Sequence, residues 1–209
     1  MRNNQRGFTL VELLLATAVF SIALVGITAA IIQLFKAYQS GVSIRKTQNA
    51  ARVISEELTR QARASYAIAG DSTISNQSVC FFFPADKLQS NGQDTADAAR
   101  YYVNNEKLFK INKKVTFTSG SPACTAALFA GGTETQVSDD EITLKEFKGG
   151  ASTYQMMELV MKIGTTTTTA GEIENRSGDA SNPDWQCLPG FEYCSMTTIN
   201  KSVMARGGR

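Results

Sequence analysis

Residues Phe8 to Phe35 form an unbroken apolar stretch. Of its 28 side chains 21 are apolar, and one, Glu12, is charged. As a helix the stretch rises about 42 Å, at ~1.5 Å per residue. That exceeds the ~30 Å hydrocarbon core of a bilayer, so the segment can span a membrane with residues to spare. A cleaved secretory signal is the alternative, because Arg2 and Arg6 supply a positive leader. The apolar regions of such signals, however, run only about 7–15 residues. From Lys36 onward 67 of 174 residues are apolar, an ordinary water-soluble composition. No second stretch approaches membrane length, so one pass is expected.

Composition narrows the chemistry of the remainder. The formal charge of +2 gives no basic surface for a nucleic acid. The chain has no histidine, which removes the Ser-His-Asp and Cys-His triads and the commonest metal ligand. A membrane-anchored thiol oxidoreductase would need a C-x-x-C pair or an activated nucleophile, and the sequence contains neither. Lysines and arginines flank both ends of the apolar stretch, so charge bias says little about orientation. Four cysteines in the region beyond it point to an oxidising compartment.

Glu12 lies four residues inside the apolar run, where a carboxyl costs on the order of 2.5–3.5 kcal/mol on insertion scales. It is either an interfacial glutamate near the membrane edge or a functional group with a partner. Its surroundings read Arg6-Gly7-Phe8-Thr9-Leu10-Val11-Glu12. A short basic leader ends in Gly, followed by Phe and an apolar helix with Glu at its fifth residue. This resembles the class-III signal of the type IV prepilin family, which includes type IV pilins and the pseudopilins of secretion and competence systems. The resemblance implies that prepilin peptidase cuts after Gly7 on the cytoplasmic face and methylates the new amino terminus at Phe8. It implies that Glu12 neutralises the amino terminus of a neighbouring subunit in a filament. Inside an apolar helix bundle an unpaired carboxylate and an unpaired ammonium are both expensive, and pairing them fixes axial register. Loss of residues 1–7 would remove Arg2 and Arg6, leaving 19 basic against 19 acidic side chains. Major pilins commonly carry a proline in this helix; residues 8–35 contain none, and Gly26 is the single weak point.

Helical periodicity continues beyond the membrane segment. Ala50, Ile54, Leu58, Ala62 and Tyr66 recur at i, i+4 spacing, with Ala51 and Val53 beside them. Arg45, Arg52, Glu56, Arg60 and Arg63 occupy the other face. One helix is expected from about residue 8 to 68, with Gly41 a flexible point and Gly70 a stop signal. The remainder reads as β: Val79 to Phe83, a hairpin of residues 100–103 and 107–111 around Asn104-Asn105, then Val115 to Thr118, Glu141 to Phe147, Tyr154 to Ile163 and Tyr193 to Val203. Long loops are expected at 84–99, 118–140 and 164–186. Four to seven strands against a helix stripe give an α+β fold. The resemblance makes it type IV pilin-like, one long helix on an antiparallel sheet. The divisions are a leader at 1–7, a transmembrane or filament-core helix at 8–35, an amphipathic stem at 36–68 and a β-rich domain at 69–209.

Four cysteines allow three pairings. Cys187 and Cys194 bracket a short turn-rich loop that closes cheaply, which leaves Cys80 for Cys124. Disulfide-closed C-terminal loops also recur in pilins. Free thiols and a Cys₄ zinc site are the alternatives, the latter without any C-x₂₋₄-C pair. The acidic runs Asp139-Asp140-Glu141 and Asp179 to Asp184 supply oxygens of the kind calcium takes, but without EF-hand spacing they read as solvated loops. Three Asn-x-Ser sequons, at Asn76, Asn175 and Asn200, are set aside as chance matches. No cofactor, metal or catalytic role is indicated. The resemblance implies a structural subunit, nearest to a minor pilin or minor pseudopilin. Its partners would be prepilin peptidase, other pilins or pseudopilins, and the inner membrane before assembly. The N-terminus would be cytoplasmic and the C-terminal domain extracytoplasmic, ending in an extracellular or periplasmic filament. A pilus-associated adhesin or tip-binding subunit, and a membrane-anchored non-filament protein, are the rivals.

Overall fold

The computed structural model describes residues 9–70, 78–83, 93–118, 123–153, 156–165, 173–178, 184–188 and 194–205. The chain opens with one helix, α1 (Leu10–Ala64). Ten strands follow among the described residues: β1 (Ala67–Gly70), β2 (Ser78–Phe82), β3 (Gln93–Asn104), β4 (Lys107–Thr118), β5 (Thr133–Gln136), β6 (Ile142–Thr153), β7 (Met156–Thr165), β8 (Ile173–Asn175), β9 (Trp185–Cys187) and β10 (Ser195–Met204). A 3₁₀ turn, Ala127–Phe129, precedes β5. All strand pairs are antiparallel. They form a five-stranded sheet ordered β1-β2-β3-β4-β5, a three-stranded sheet ordered β10-β7-β6, and a β8-β9 ribbon.

The helix stops earlier than its periodicity suggests. The expected extension to residue 68 fails at Ser65, whose backbone is extended (φ −80°, ψ 151°). Ser65 Oγ donates to the Ala62 carbonyl at 2.8 Å, and Tyr66 N–H turns to the Phe82 carbonyl at 2.9 Å. Residues 67–70 then pair with β2. A four-residue strand with a ready ladder partner outcompetes one more helical turn, so tertiary pairing overrides the local pattern.

The second half of α1 lies in a core shared by both larger sheets. Ala51, Ile54, Leu58 and Ala62 are buried there with Val79, Phe81, Tyr101, Phe147, Leu159 and Met161. Alternate residues of β2, Cys80 and Phe82, face a second core with Phe117 and Phe129. This explains the continuous apolar run of β2: the strand is buried on both faces. The sheets approach closely at Gly149, where an added Cβ would lie 2.7 Å from Val79 Cβ. Glycine is the residue that permits this crossing.

All three expected loops contain strands. Residues 93–99, read as part of a loop, belong to β3 and pair with β4 from Gln93↔Thr118 to Ala99↔Asn112. Gln93, Asp94, Ala96 and Asp97 have little β preference, and the strand is imposed by Val115 and Phe117 opposite them. Within 118–140 the 3₁₀ turn and β5 appear, and within 164–186 the β8 strand and the start of β9. The hairpin turn sits one residue later than expected, on Asn105 (φ 48°) and Glu106 (φ 61°). A two-residue turn matching the strand twist requires positive φ at both positions. Glu106 adopts it while its carbonyl accepts from Leu144 N–H at 2.8 Å and its carboxylate pairs with Lys145.

Candidate functional site

No described residue buries the N-terminal half of α1. From Leu10 to Phe35 its large apolar side chains are exposed, Leu24 least at 47% and Leu34 most at 76%. This 55-residue helix is long and apolar enough to cross a membrane, and its apolar window is unburied. Gly7 and Phe8 lie outside the described residues.

Glu12 has partners in its own chain. Thr9 is the N-cap: its Oγ1 accepts from Glu12 N–H at 3.3 Å. In return Glu12 Oε2 accepts from Thr9 N–H and from Thr9 Oγ1–H, each at 3.2 Å. This reciprocal capping box satisfies amide donors that a helix start leaves without partners. Thr9 was readable from the Thr-x-x-Glu spacing and escapes a reading that looks only for an intersubunit partner.

The transition to the buried half is made by hydroxyls. Ser43 and Thr47 on α1 meet Thr165 at the end of β7 and Ser195 at the start of β10, and all four are buried. Ser43 Oγ lies 2.6 Å from Thr165 Oγ1, and Ser195 Oγ donates to the Ser43 carbonyl at 3.0 Å. Thr47 Oγ1 bonds Ser195 Oγ, and Thr165 Oγ1 lies 3.1 Å from the same atom. No sequence pattern pairs these positions, because Ser43 and Ser195 are 152 residues apart.

Further along α1, Glu57 anchors a polar cluster under β3 and β4. Its carboxylate accepts from Gln61 at 2.8 Å, Tyr101 OH at 2.9 Å, Lys110 at 3.3 Å, and Arg60. Burial alone would raise its pKa, but the hydrogen bonds from Gln61, Tyr101, Arg60 and Lys110 outweigh it and bring the carboxyl down to about 2. Tyr101 moves the other way: burial and the Glu57 charge push its phenol up. On β6, Glu146 is buried; burial opposes its charge, and Lys148 at 2.7 Å and Lys162 at 3.1 Å overcome this and lower its pKa. The first cluster ties α1 to β3 and β4, and the second ties β6 to β7.

Cys80 is bonded to Cys124, and Cys187 to Cys194, with Cα–Cα separations of 5.5 and 5.8 Å. The first closes a span of 44 residues and joins β2 to the segment before the 3₁₀ turn. The second holds the start of β10 beside β9. In the acidic run at 139–141, Glu141 pairs with Lys46 at 2.5 Å and Asp140 accepts from Gln136 at 3.0 Å. Asp179 lies outside the described residues, and Asp184 accepts from Gln186 at 2.7 Å.

Residues 2–28 match the family model described as the prokaryotic N-terminal methylation motif. No curated protein matches the chain. Among solved structures the chain is similar to a type IV-like pilin from Thermus thermophilus. The two are 12% identical, with 76% of this chain and 96% of that chain covered and a TM-score of 0.46. The chain thus carries a prepilin-type methylation motif at the head of a long apolar helix that is docked on antiparallel sheet. Its apolar helix and signal motif fit a single-pass inner-membrane anchor.

Proposed function

We propose that this chain is a structural subunit, a minor pilin or minor pseudopilin. Prepilin peptidase would cut after Gly7 and methylate Phe8. The helix of residues 8–35 would then hold the subunit in the inner membrane, N-terminus cytoplasmic and β-rich domain outside, until it enters a type IV pilus or pseudopilus. The observation that carries this reading is the continuity of the methylation motif with an apolar half-helix that has no partner among the described residues. A half-helix apolar all round is stable only where lipid or other helices surround it. Its stem is meanwhile fixed to the sheets by Leu58, Ala62 and the hydroxyl cluster, so the domain and the helix travel as one piece.

Within the filament Glu12 would exchange its own cap for the methylated amino terminus of a neighbour. Two substitutions separate these roles. Glu12→Gln keeps an acceptor for the Thr9 N–H but loses the charge, whereas Glu12→Ala loses both. Both chains are expected to insert in the membrane and to be processed, and both to be depleted from sheared filaments. Normal incorporation of Glu12→Gln would show that the charge pairing plays no part in assembly.

A further inference from the structure

The two disulfides differ in access. Cys80 and Cys124 are buried in the core with Phe82, Phe117 and Phe129. Cys187 and Cys194 are only half-buried. A thiolate must reach a sulfur to exchange with it, so the accessible bond is the labile one. That bond joins the last residue of β9 to the residue before β10.

What the bond holds is the β8-β9 ribbon. Its strands carry three residues each, paired from Ile173↔Cys187 to Asn175↔Trp185. A two-stranded ribbon is marginal by itself in water, so this one needs an anchor. Met161 and Ile163 of β7 enter the core with α1, so Gly164 between Ile163 and Thr165 faces the other way. Ile173 is seated there: an added Cβ at Gly164 would lie 2.6 Å from Ile173 Cδ1. Trp185 meets Lys145, whose Nζ lies 5.4 Å from the ring centroid. The indole N–H has no acceptor among the described residues, so no hydrogen bond fixes the ring. Beside the latch, Ser195 is fixed separately, paired with Thr165 and donating to the Ser43 carbonyl at 3.0 Å.

We propose that the Cys187–Cys194 bond is a redox latch for the β8-β9 ribbon, opened by a dithiol reductant. One thiolate of the reductant attacks Sγ of Cys187 or Cys194. A mixed disulfide forms, and the other cysteine leaves as a thiolate and takes up a proton. The second thiol of the reductant then loses its proton and attacks the reductant's own sulfur in the mixed disulfide. The reductant departs as a disulfide, and the second cysteine is released and protonated. Two electrons have passed to the protein. The ribbon, left with its contacts at Gly164 and Lys145, comes away from the sheet and bares both. The Cys80–Cys124 bond stays closed, and Ser195 keeps β10 on α1. The latch goes beyond the subunit role proposed above and does not depend on cleavage after Gly7.

The test treats the full-length chain in detergent micelles with dithiothreitol, traps thiols with N-ethylmaleimide and maps them by mass spectrometry. Cys187 and Cys194 are expected to be labelled at least about tenfold faster than Cys80 and Cys124. The chain's one tryptophan, Trp185, sits on the ribbon and reports its release. On selective reduction its emission should move to the red and its quenching by acrylamide rise about threefold, while amide exchange in residues 55–64 and 195–204 stays unchanged. The double variant Cys187→Ser with Cys194→Ser should give the same Trp185 signals without reductant. Equal labelling of all four cysteines, Trp185 signals unmoved by reduction, or loosening that reaches α1 would each overturn the proposal.

Discussion

Residues 10–35 and residues 43–64 belong to one helix with unbroken backbone hydrogen bonding, yet they meet different surroundings. In the first half Leu, Ile and Phe are exposed on every side. In the second, burial is confined to a stripe through Ser43, Thr47, Ala51, Ile54, Leu58 and Ala62, while Arg45, Arg52, Glu56, Arg60 and Arg63 face outward. The contrast separates two uses of apolar surface. The stripe is satisfied by this chain's own sheets. The all-round half has no partner among the described residues, and its surface suits lipid or other helices. The polar groups follow the same division: Thr9 and Glu12 bond each other at the helix start, whereas Ser43, Thr47 and Glu57 tie the helix to strands far away in sequence.

Substitutions that delete equal side chains from the two halves should have unequal effects. Leu58 is fully buried, so Leu58→Ala is expected to cost about 2–5 kcal/mol of domain stability. Leu24→Ala in the exposed half should leave the denaturant midpoint of the domain within ~0.5 kcal/mol of the parent. Equal losses in chemical denaturation of the full chain would erase the distinction between the halves.

The disulfides give a graded effect by loop length. In the chain-entropy picture, losing the 44-residue closure at Cys80–Cys124 costs about 4 kcal/mol, and losing the 7-residue closure at Cys187–Cys194 about 2 kcal/mol. Paired Cys→Ser variants compared by thermal unfolding would show the order. The reverse order would mean that the β10 junction with α1 limits stability more than the β2 core.

Glu57 supplies a pH signature of the docked half. Its carboxyl has an ordinary value of 4.5 and about 2 in the fold. A lowered folded value stabilises the protein above the unfolded pKa, and that contribution is lost as pH falls from about 4.5 to about 2. Its size is on the order of 1–3 kcal/mol, given the partly exposed setting. Glu57→Gln should flatten the pH dependence of unfolding over that window, and an unchanged slope would assign the effect to other carboxylates. Smaller still, Thr47→Val should cost about 1–2 kcal/mol by leaving Ser195 short of a partner. Thr9→Val should cost about 1 kcal/mol locally, visible as faster amide exchange at the helix start with no change in domain unfolding. A domain-wide effect of Thr9→Val would show that the two halves are coupled more tightly than their contacts indicate.

Much of this division was readable before any coordinates. The composition of residues 8–35 and the i, i+4 spacing from Ala50 to Ala62 mark the two halves directly, because both depend on local pattern alone. The errors arose where distant partners decide. Residues 65–68 continue a helical rhythm, but Ala67 and Ile68 pair with β2, and residues 93–99 look like a loop until β4 lies beside them. Val53 belongs to the periodic apolar set yet lines an open groove. The hydroxyl junction and the Glu57 cluster were invisible for the same reason: Ser, Thr and Glu on a helix read as solvated until Thr165, Ser195 and Tyr101 are brought against them. At the N-terminus the spacing that marks a prepilin signal also writes a capping box.

The account rests on the first half of the helix being made for an environment outside the chain and delivered there by processing. Mass spectrometry of the mature protein from membranes tests this most directly. The expected species begins at an N-methylated Phe8 and lacks residues 1–7. A chain that retains Met1, or one cut beyond residue 30, would contradict it.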